Sequence, residues 1–418
     1  MPTFTRIILC TVVFTAALLS CSKAPESRDS IDPVTGVIIR PDEPLKLGVI
    51  QSLSGQVAPL GQEQMRGLEL SLARRGGMLL GHKVQLLVQD TGCQPEGGAN
   101  AALKIVADPQ VVAIFGTTCS GDAATASEIM SKAGLSMISG NNSAAFLTSM
   151  GGKQASKWQP GYFRTASNEE SSGPAAATFA YKKLGIRRAA TINDGDLYTT
   201  GLTDGFASQF VKLGGKIVLS AKVSKADTNM GPVLTAVANS QAQLVFFPLF
   251  QPEGNHLLLQ ARRTPALKDT VLMSDGSLIE QSFIDAVKDA AVGMYFVGPS
   301  PPDKTPELDA LLKEYVARFN AAPSALYYAS AYDAAEILFT AIEKTAIKEP
   351  SGALRIGRQA LRDALHATHG FKGVSGKLTC DTFGDCAPAR FNVLRLDDPA
   401  AGVDGLTANV QFTYERAP

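Results

Sequence analysis

The sequence predicts an α/β protein built as two parallel-sheet lobes, with the chain passing between them several times. Three observations lead there. From about residue 45, short apolar strand-like runs alternate with amphipathic helix-like runs, the pattern of strand–helix–strand units. The alternation comes in two series, the second starting near Ser171. Finally, 418 residues exceed what one core serves, and 45% hydrophobic against 19% charged residues lets the chain bury more than one.

The first series opens with the strand Leu45–Ser52, followed by a helix over Gln62–Arg75, where Met65, Leu68, Leu72 and Ala73 share a face. Strand Lys83–Gln89, helix Gly98–Ala107, strand Val111–Gly116, helix Asp122–Ala133 and strand Leu135–Ser139 follow. The second series runs helix Pro174–Leu184, strand Arg188–Asn193, helix Thr200–Leu213, strand Lys216–Val223, helix Gly231–Asn239 and strand Ala242–Leu249. It continues with helix Glu253–Arg263, strand Thr270–Ser274, helix Ile279–Ala290 and strand Val292–Val297. After Pro299-Ser-Pro-Pro302 only helices are expected, over Glu307–Asn320, Ala325–Thr345 and Ala353–His366. A β-rich piece, Gly376–Leu396 and Val410–Tyr414, closes the chain. A helical segment cannot complete a sheet alone, so it must pack back on an earlier lobe. The expected division is therefore 45–165 with 300–372 in lobe one, and 166–299 with 373–418 in lobe two.

Residues 1–20 read as an export signal. Arg6 precedes a thirteen-residue apolar stretch, Ile7 to Leu19, which is short for a membrane span. It ends in Leu18-Leu19-Ser20-Cys21 and resembles the bacterial lipoprotein box, which implies that Cys21 is lipidated and becomes the N-terminus. Ser22 rather than Asp at the next position would, by the same resemblance to lipoproteins of Gram-negative bacteria, permit sorting to the outer membrane and leaves inner or outer anchoring open. Residues 21–44, with Pro25, Pro33, Pro41 and Pro44 among scattered charges, read as a tether. Lys+Arg and Asp+Glu both number 39, and loss of residues 1–20 would remove only Arg6, so neither nucleic acid nor an acidic surface is indicated as a partner.

Beyond Cys10 and Cys21, Cys93, Cys119, Cys380 and Cys386 remain, an even number that suits two disulfides in an exported protein. Four cysteines allow three pairings. The turn-rich Asp381-Thr-Phe-Gly-Asp385 between Cys380 and Cys386 favours that pair, and hence Cys93 with Cys119. A four-thiolate zinc site lacks any C-x-x-C pair.

Ligands of parallel α/β sheets sit at the carboxyl ends of strands, beside helix N-termini. Here those ends carry Gln51-Ser-Leu-Ser-Gly-Gln56, Gly116-Thr-Thr-Cys-Ser-Gly-Asp122 and Ser139-Gly-Asn-Asn-Ser143. Each gathers hydroxyls, amides and backbone N–H groups that suit a carboxylate, although the same residues also cap helices and make turns.

With these loops in view, the chain resembles the type I periplasmic binding proteins, specifically the leucine/isoleucine/valine-binding subunits of ABC transporters. The resemblance is carried by GVIQSLSGQVAPLGQEQMRGLEL, and most specifically by QDTGCQPEGGANAA with IFGTTCSGDAA, whose cysteines match that family's first-lobe disulfide. It spans roughly residues 45–400. It implies two Rossmann-like lobes on a multi-crossing hinge, a small-molecule ligand in the cleft between them, and delivery to a permease with ATPase subunits. It implies that Ser120 binds the ligand carboxylate, and that Asn141 and Ser143 lie in the loop holding carboxylate and ammonium. By the same resemblance Tyr198 is expected to close over the ligand, Phe250 stands where the family often has a tyrosine, Asp275 is expected to pair with the ammonium, and Tyr327 to make an apolar contact. Leu60 in place of an aromatic, Gly121-Asp122 after Ser120, and Asn141-Asn142 point to a more polar ligand than a branched-chain amino acid. Cys380–Cys386 is an addition to the family pattern.

Dinucleotide, P-loop and hydrolase-elbow motifs are absent from the sequence, so no catalysis and no cofactor is expected. His366 and His369 read as a helix-end charge complement and not as metal ligands. The expectation is an extracytoplasmic, lipid-anchored solute-binding protein for an amino acid or related small zwitterion, with a ligand sensor feeding a signalling partner as the alternative.

Overall fold

The structure is a computed structural model and describes residues 36–415. Residues 1–20, Cys21 and most of the expected tether therefore lie outside the described residues. Two sheets organise the chain. The first has six strands in the order Met78–Leu79, His82–Asp90, Leu45–Gln51, Val111–Gly116, Met137–Ser139 and Tyr162–Arg164; all neighbours are parallel except the short edge hairpin. Leu45, Leu47, Val49 and Ile50 are wholly buried, as a parallel strand covered on both faces requires. The second sheet has seven strands, ordered Lys216–Lys222, Arg188–Asn193, Leu244–Phe246, Val271–Asp275, Tyr295–Pro299, Arg390–Arg395 and Val410–Glu415. The last two are antiparallel additions to a parallel core.

Helices cover the sheets as the apolar periodicity requires. Helix Ala58–Arg74 packs on helix Tyr328–Thr345, which returns the late helical segment to the first lobe. The two approach so closely at Gly67 that a Cβ there would lie 2.6 Å from the Ala331 Cβ. Leu311 and Tyr315 of helix Pro306–Phe319 join Leu70 and Tyr332 in a small core beside that contact.

Three expectations need correction. The tether 21–44 is not all tether: Gly36–Ile39 is a strand with Val37 and Ile39 buried, paired antiparallel with Leu354–Gly357. The segment after Pro302 is correspondingly not purely helical, since Ile347–Lys348 and Leu354–Gly357 complete this three-stranded sheet, and the helix expected from Ala353 begins at Arg358. The partner of Leu354–Gly357 lies more than 300 residues away in sequence, so no local period could reveal it. Finally, residues 373–386, expected in the second lobe, pack on the first. Leu378, Cys380 and Cys386 belong to its core, and the Val374 and Ser375 backbone N–H groups donate to Asp333. The chain thus crosses between lobes near 165–168, 300–305 and 387–389. Helix Gly402–Ala408, between the last two strands, has no counterpart in the sequence reading.

Candidate functional site

The loops at the carboxyl ends of the first-lobe strands are tied to one another by their own side chains. Thr118 Oγ1 donates to Gln51 Oε1 at 2.7 Å and accepts from the Ser52 N–H at 2.9 Å. Ser139 Oγ donates to the Thr117 carbonyl and accepts from both the Asn141 and Asn142 N–H groups. Asn141 Nδ2 donates to the Thr118 carbonyl at 3.0 Å, and Ser120 Oγ accepts from the Ala144 N–H at 3.3 Å. Ser120 opens helix Ser120–Lys132, so free N–H groups and the positive end of its dipole face the same space. The Cys93–Cys119 disulfide fixes the residue before it.

The second lobe brings aromatic and acidic groups to the other side. Asp196 caps helix Leu197–Lys212 by accepting from the Tyr198 N–H at 2.9 Å, which sets the tyrosine at the helix start. The Tyr198 and Phe250 ring centroids are 5.2 Å apart. Asp275 ends strand Val271–Asp275 and accepts hydrogen bonds from the Tyr198 hydroxyl and, at 2.8 Å, from Ser277 Oγ.

One cavity joins these groups. It is lined by Leu60, Thr118, Cys119, Ser120, Asn141, Ser143, Tyr198, Phe250, Ser277 and Tyr327. Six of the seven expected ligand residues meet there. Asp275 does not reach its wall and lies beneath Tyr198. Thr118 and Ser277 were not expected, although Thr118 stands in a loop already singled out for its hydroxyls. The enclosed space is about 20 Å³, room for about one water, so the lobes are closed. A larger cavity of about 590 Å³ opens between the crossings, and of the expected residues only Tyr327 lines it. None of the loops 51–56, 116–122 and 139–143 reaches it.

Closure has visible fastenings. The Lys225 ammonium reaches across from the second lobe to the Cys93 carbonyl at 3.3 Å while pairing with Asp196 at 3.2 Å. Asp196 Oδ2 would lie 2.9 Å from a Cβ at Gly121, so a larger residue there would press on the carboxylate that pairs with Lys225.

Glu169 is the acid that sequence reasoning missed. It is 6% exposed, its backbone N–H donates to the Ser143 carbonyl at 2.9 Å, and Oε1 lies 3.3 Å from the Tyr198 hydroxyl. Oε2 is buried without a hydrogen-bond partner among the described residues. Burial first, then the neighbouring Asp275 charge, pushes the Glu169 carboxyl well above the usual carboxylate range. Burial also raises Asp275, against hydrogen bonds from Tyr198 and Ser277 that lower it.

A two-lobed α/β protein, closed over a cleft lined by strand-end hydroxyls on one side and aromatics on the other, has the architecture of a hinged solute-binding protein. Residues 44–395 match the periplasmic binding protein family model, and the chain belongs to that family, one of binding proteins and not of enzymes. A Leu/Ile/Val-binding protein, BraC3, of Rhizobium johnstonii is 27% identical over 354 residues, covering 84% of this chain and 91% of that one. An amino acid binding protein of Pseudomonas aeruginosa is 24% identical over 356 residues, covering 84% and 90%. Among solved structures, the fold is shared with the leucine binding protein LivK of Thermotoga maritima, at a TM-score of 0.73 and 23% identity over 85% of this chain and 96% of that one. A solute binding protein of R. palustris in complex with benzoate shares it at a TM-score of 0.71 and 22% identity, over 84% and 93%.

Proposed function

We propose that this chain is the extracytoplasmic solute-binding component of an ABC transporter, anchored through lipidated Cys21, and that its ligand is an amino acid or related small zwitterion. The observation that carries the reading is the polarity of the closed cleft. First-lobe polar groups at Ser120, Asn141 and Ser143 face second-lobe acids behind Tyr198. A zwitterion entering the cleft loses its hydration and needs a partner for each charge. The donors serve the carboxylate, and the acids serve the ammonium. The named activities of the amino-acid-binding relatives support the same assignment.

Ligand pockets span about 300–1,000 Å³, so the ligand binds an open form and the lobes then close on it. Calorimetry on the exported chain tests the assignment. Ser120→Ala and Asp275→Ala should each weaken binding of the best amino acid by about 1–3 kcal/mol. Unchanged affinity in both variants refutes the site. A thermal-shift screen in which carboxylates without an amine stabilise the chain as well as amino acids do refutes the zwitterion.

A further inference from the structure

Two carboxylates meet at the Tyr198 hydroxyl, and that hydroxyl carries one proton. It donates to Asp275, so Glu169 Oε1 at 3.3 Å completes a hydrogen bond only if Glu169 holds a proton of its own. The groups facing Glu169 are Asp275, Tyr198, Tyr327, Arg164 and the Ser143 hydroxyl, which lowers its carboxyl against burial. Arg164 is committed elsewhere: its Nε donates to Asp385 at 2.5 Å and its Nη1 to the Ala144 carbonyl at 2.8 Å. The residues lining the cavity include no Lys, Arg or His. Two buried acids therefore stand behind Tyr198, neither of them lining the closed cavity, without a committed cation, and no hydrogen bond within 3.5 Å reaches Glu169 Oε2 from the described residues. A single ligand ammonium can neutralise only one of them.

We propose that Glu169 is a second anionic partner in the ligand site and that the ligand is a basic amino acid, one carrying a side-chain cationic nitrogen besides its α-ammonium. This rests on the reading of the cleft as an amino-acid site. The first-lobe donors hold the carboxylate, Asp275 with Tyr198 takes one cationic group, and Glu169 takes the other. Glu169 gives up its proton as the ligand charge replaces it, so binding is linked to proton release. The competing arrangement is that Glu169 keeps its proton permanently as a donor to Tyr198 and leaves side-chain charge unread.

L-lysine and L-norleucine, which differ in the terminal ammonium, separate the two. Isothermal titration of the exported chain at neutral pH, in buffers of different ionisation enthalpy, should show lysine binding more tightly than norleucine with a proton released. Glu169→Gln should weaken lysine by roughly 10- to 100-fold, the range for losing a hydrogen bond to a charged group. The same change should leave norleucine within a few-fold and abolish the buffer dependence. Its thermal midpoint without ligand serves as the control for folding. Norleucine binding as tightly as lysine, or Glu169→Gln shifting both equally, overturns the inference while leaving the amino-acid site intact. Failure of every amino acid to bind overturns the site reading as well.

Discussion

Asp385→Ala should unfold the first lobe at markedly lower denaturant. Arg164 is wholly buried on strand Tyr162–Arg164, and Asp385 reaches it from the loop closed by Cys380–Cys386. The carboxylate also accepts from Thr148 Oγ1 at 2.9 Å, Ser149 Oγ at 3.2 Å and Asn168 Nδ2 at 2.9 Å. Burial alone would raise this carboxyl, but the Arg164 guanidinium and these donors hold it below the usual carboxylate range. Removing the anion strands a buried guanidinium, which costs about 3–5 kcal/mol. The double variant Arg164→Met/Asp385→Leu removes both charges. It also forfeits the guanidinium bonds to the Asn142 and Ala144 carbonyls and to Thr148 Oγ1, and the Thr148, Ser149 and Asn168 bonds to Asp385, so it should recover only part of that loss. The assay is built in, because Trp158 is the only tryptophan and its Nε1 donates to the Phe383 carbonyl of the same loop. Urea unfolding followed by its fluorescence should shift in midpoint at unchanged slope. A cost under about 1 kcal/mol for the single change, or a double variant costing the sum of the singles, would refute the ion-pair argument.

The disulfides should differ in weight. Loop-closure entropy for separations of 26 and 6 residues assigns about 3.5 kcal/mol to Cys93–Cys119 and about 2.2 kcal/mol to Cys380–Cys386. Paired Cys→Ser variants compared by urea unfolding should keep that order. Asp122 provides a pH test. Burial, with the Asp196 charge adding to it, raises its carboxyl from 3.8 to about 8. A raised folded pKa means that its stabilising effect is complete below the unfolded value and lost as pH climbs through about 8. The parent chain should therefore lose stability between pH 4 and 8. Asp122→Asn should be the more stable at pH 8 with the advantage vanishing towards pH 4, and parallel curves would count against the assignment.

The parts of the fold legible in the sequence are those with a local period. Strand Leu45–Gln51 and helix Ala58–Arg74 declare themselves because every partner they need is signalled by their own spacing of apolar residues. Gly36–Ile39 does not, since four residues become a strand only when Leu354–Gly357 arrives. The hairpin and disulfide loop at 371–386 carry no period that could assign them to a lobe, and Asp385 meets Arg164 through tertiary structure alone. The cleft divides in the same way. Ser120, Asn141 and Ser143 stand in loops whose composition already suits an anion. Tyr198, Phe250 and Tyr327 entered through likeness to a family, because an aromatic at the start of a helix reads equally well as core. Glu169, within Asn168-Glu-Glu-Ser171, reads as an ordinary helix approach, and only the packing of that turn brings its carboxylate to Tyr198.

Closure and ligand chemistry are coupled through a short path. Lys225 holds the Cys93 carbonyl, Cys93 is bonded to Cys119, and Cys119 precedes the Ser120 that opens the first-lobe helix onto the cavity. The latch therefore pulls on the loop to which the proposed site assigns the carboxylate donors, and a shift of that loop would reach the latch through two covalent steps. On the far side, Tyr198 follows Asp196, the partner of Lys225, so the second lobe's half of the latch caps the helix that aims the tyrosine. A ligand can shift such an equilibrium only by its difference in affinity for the open and closed forms. On the proposed assignment that difference is concentrated in charge. Glu169, Asp275 and Tyr198 all stand in the second lobe, so closing does not assemble the two acids but shuts water away from them. The proposed cationic ligand would meet them in that dry setting, where an ionic contact is stronger than in water.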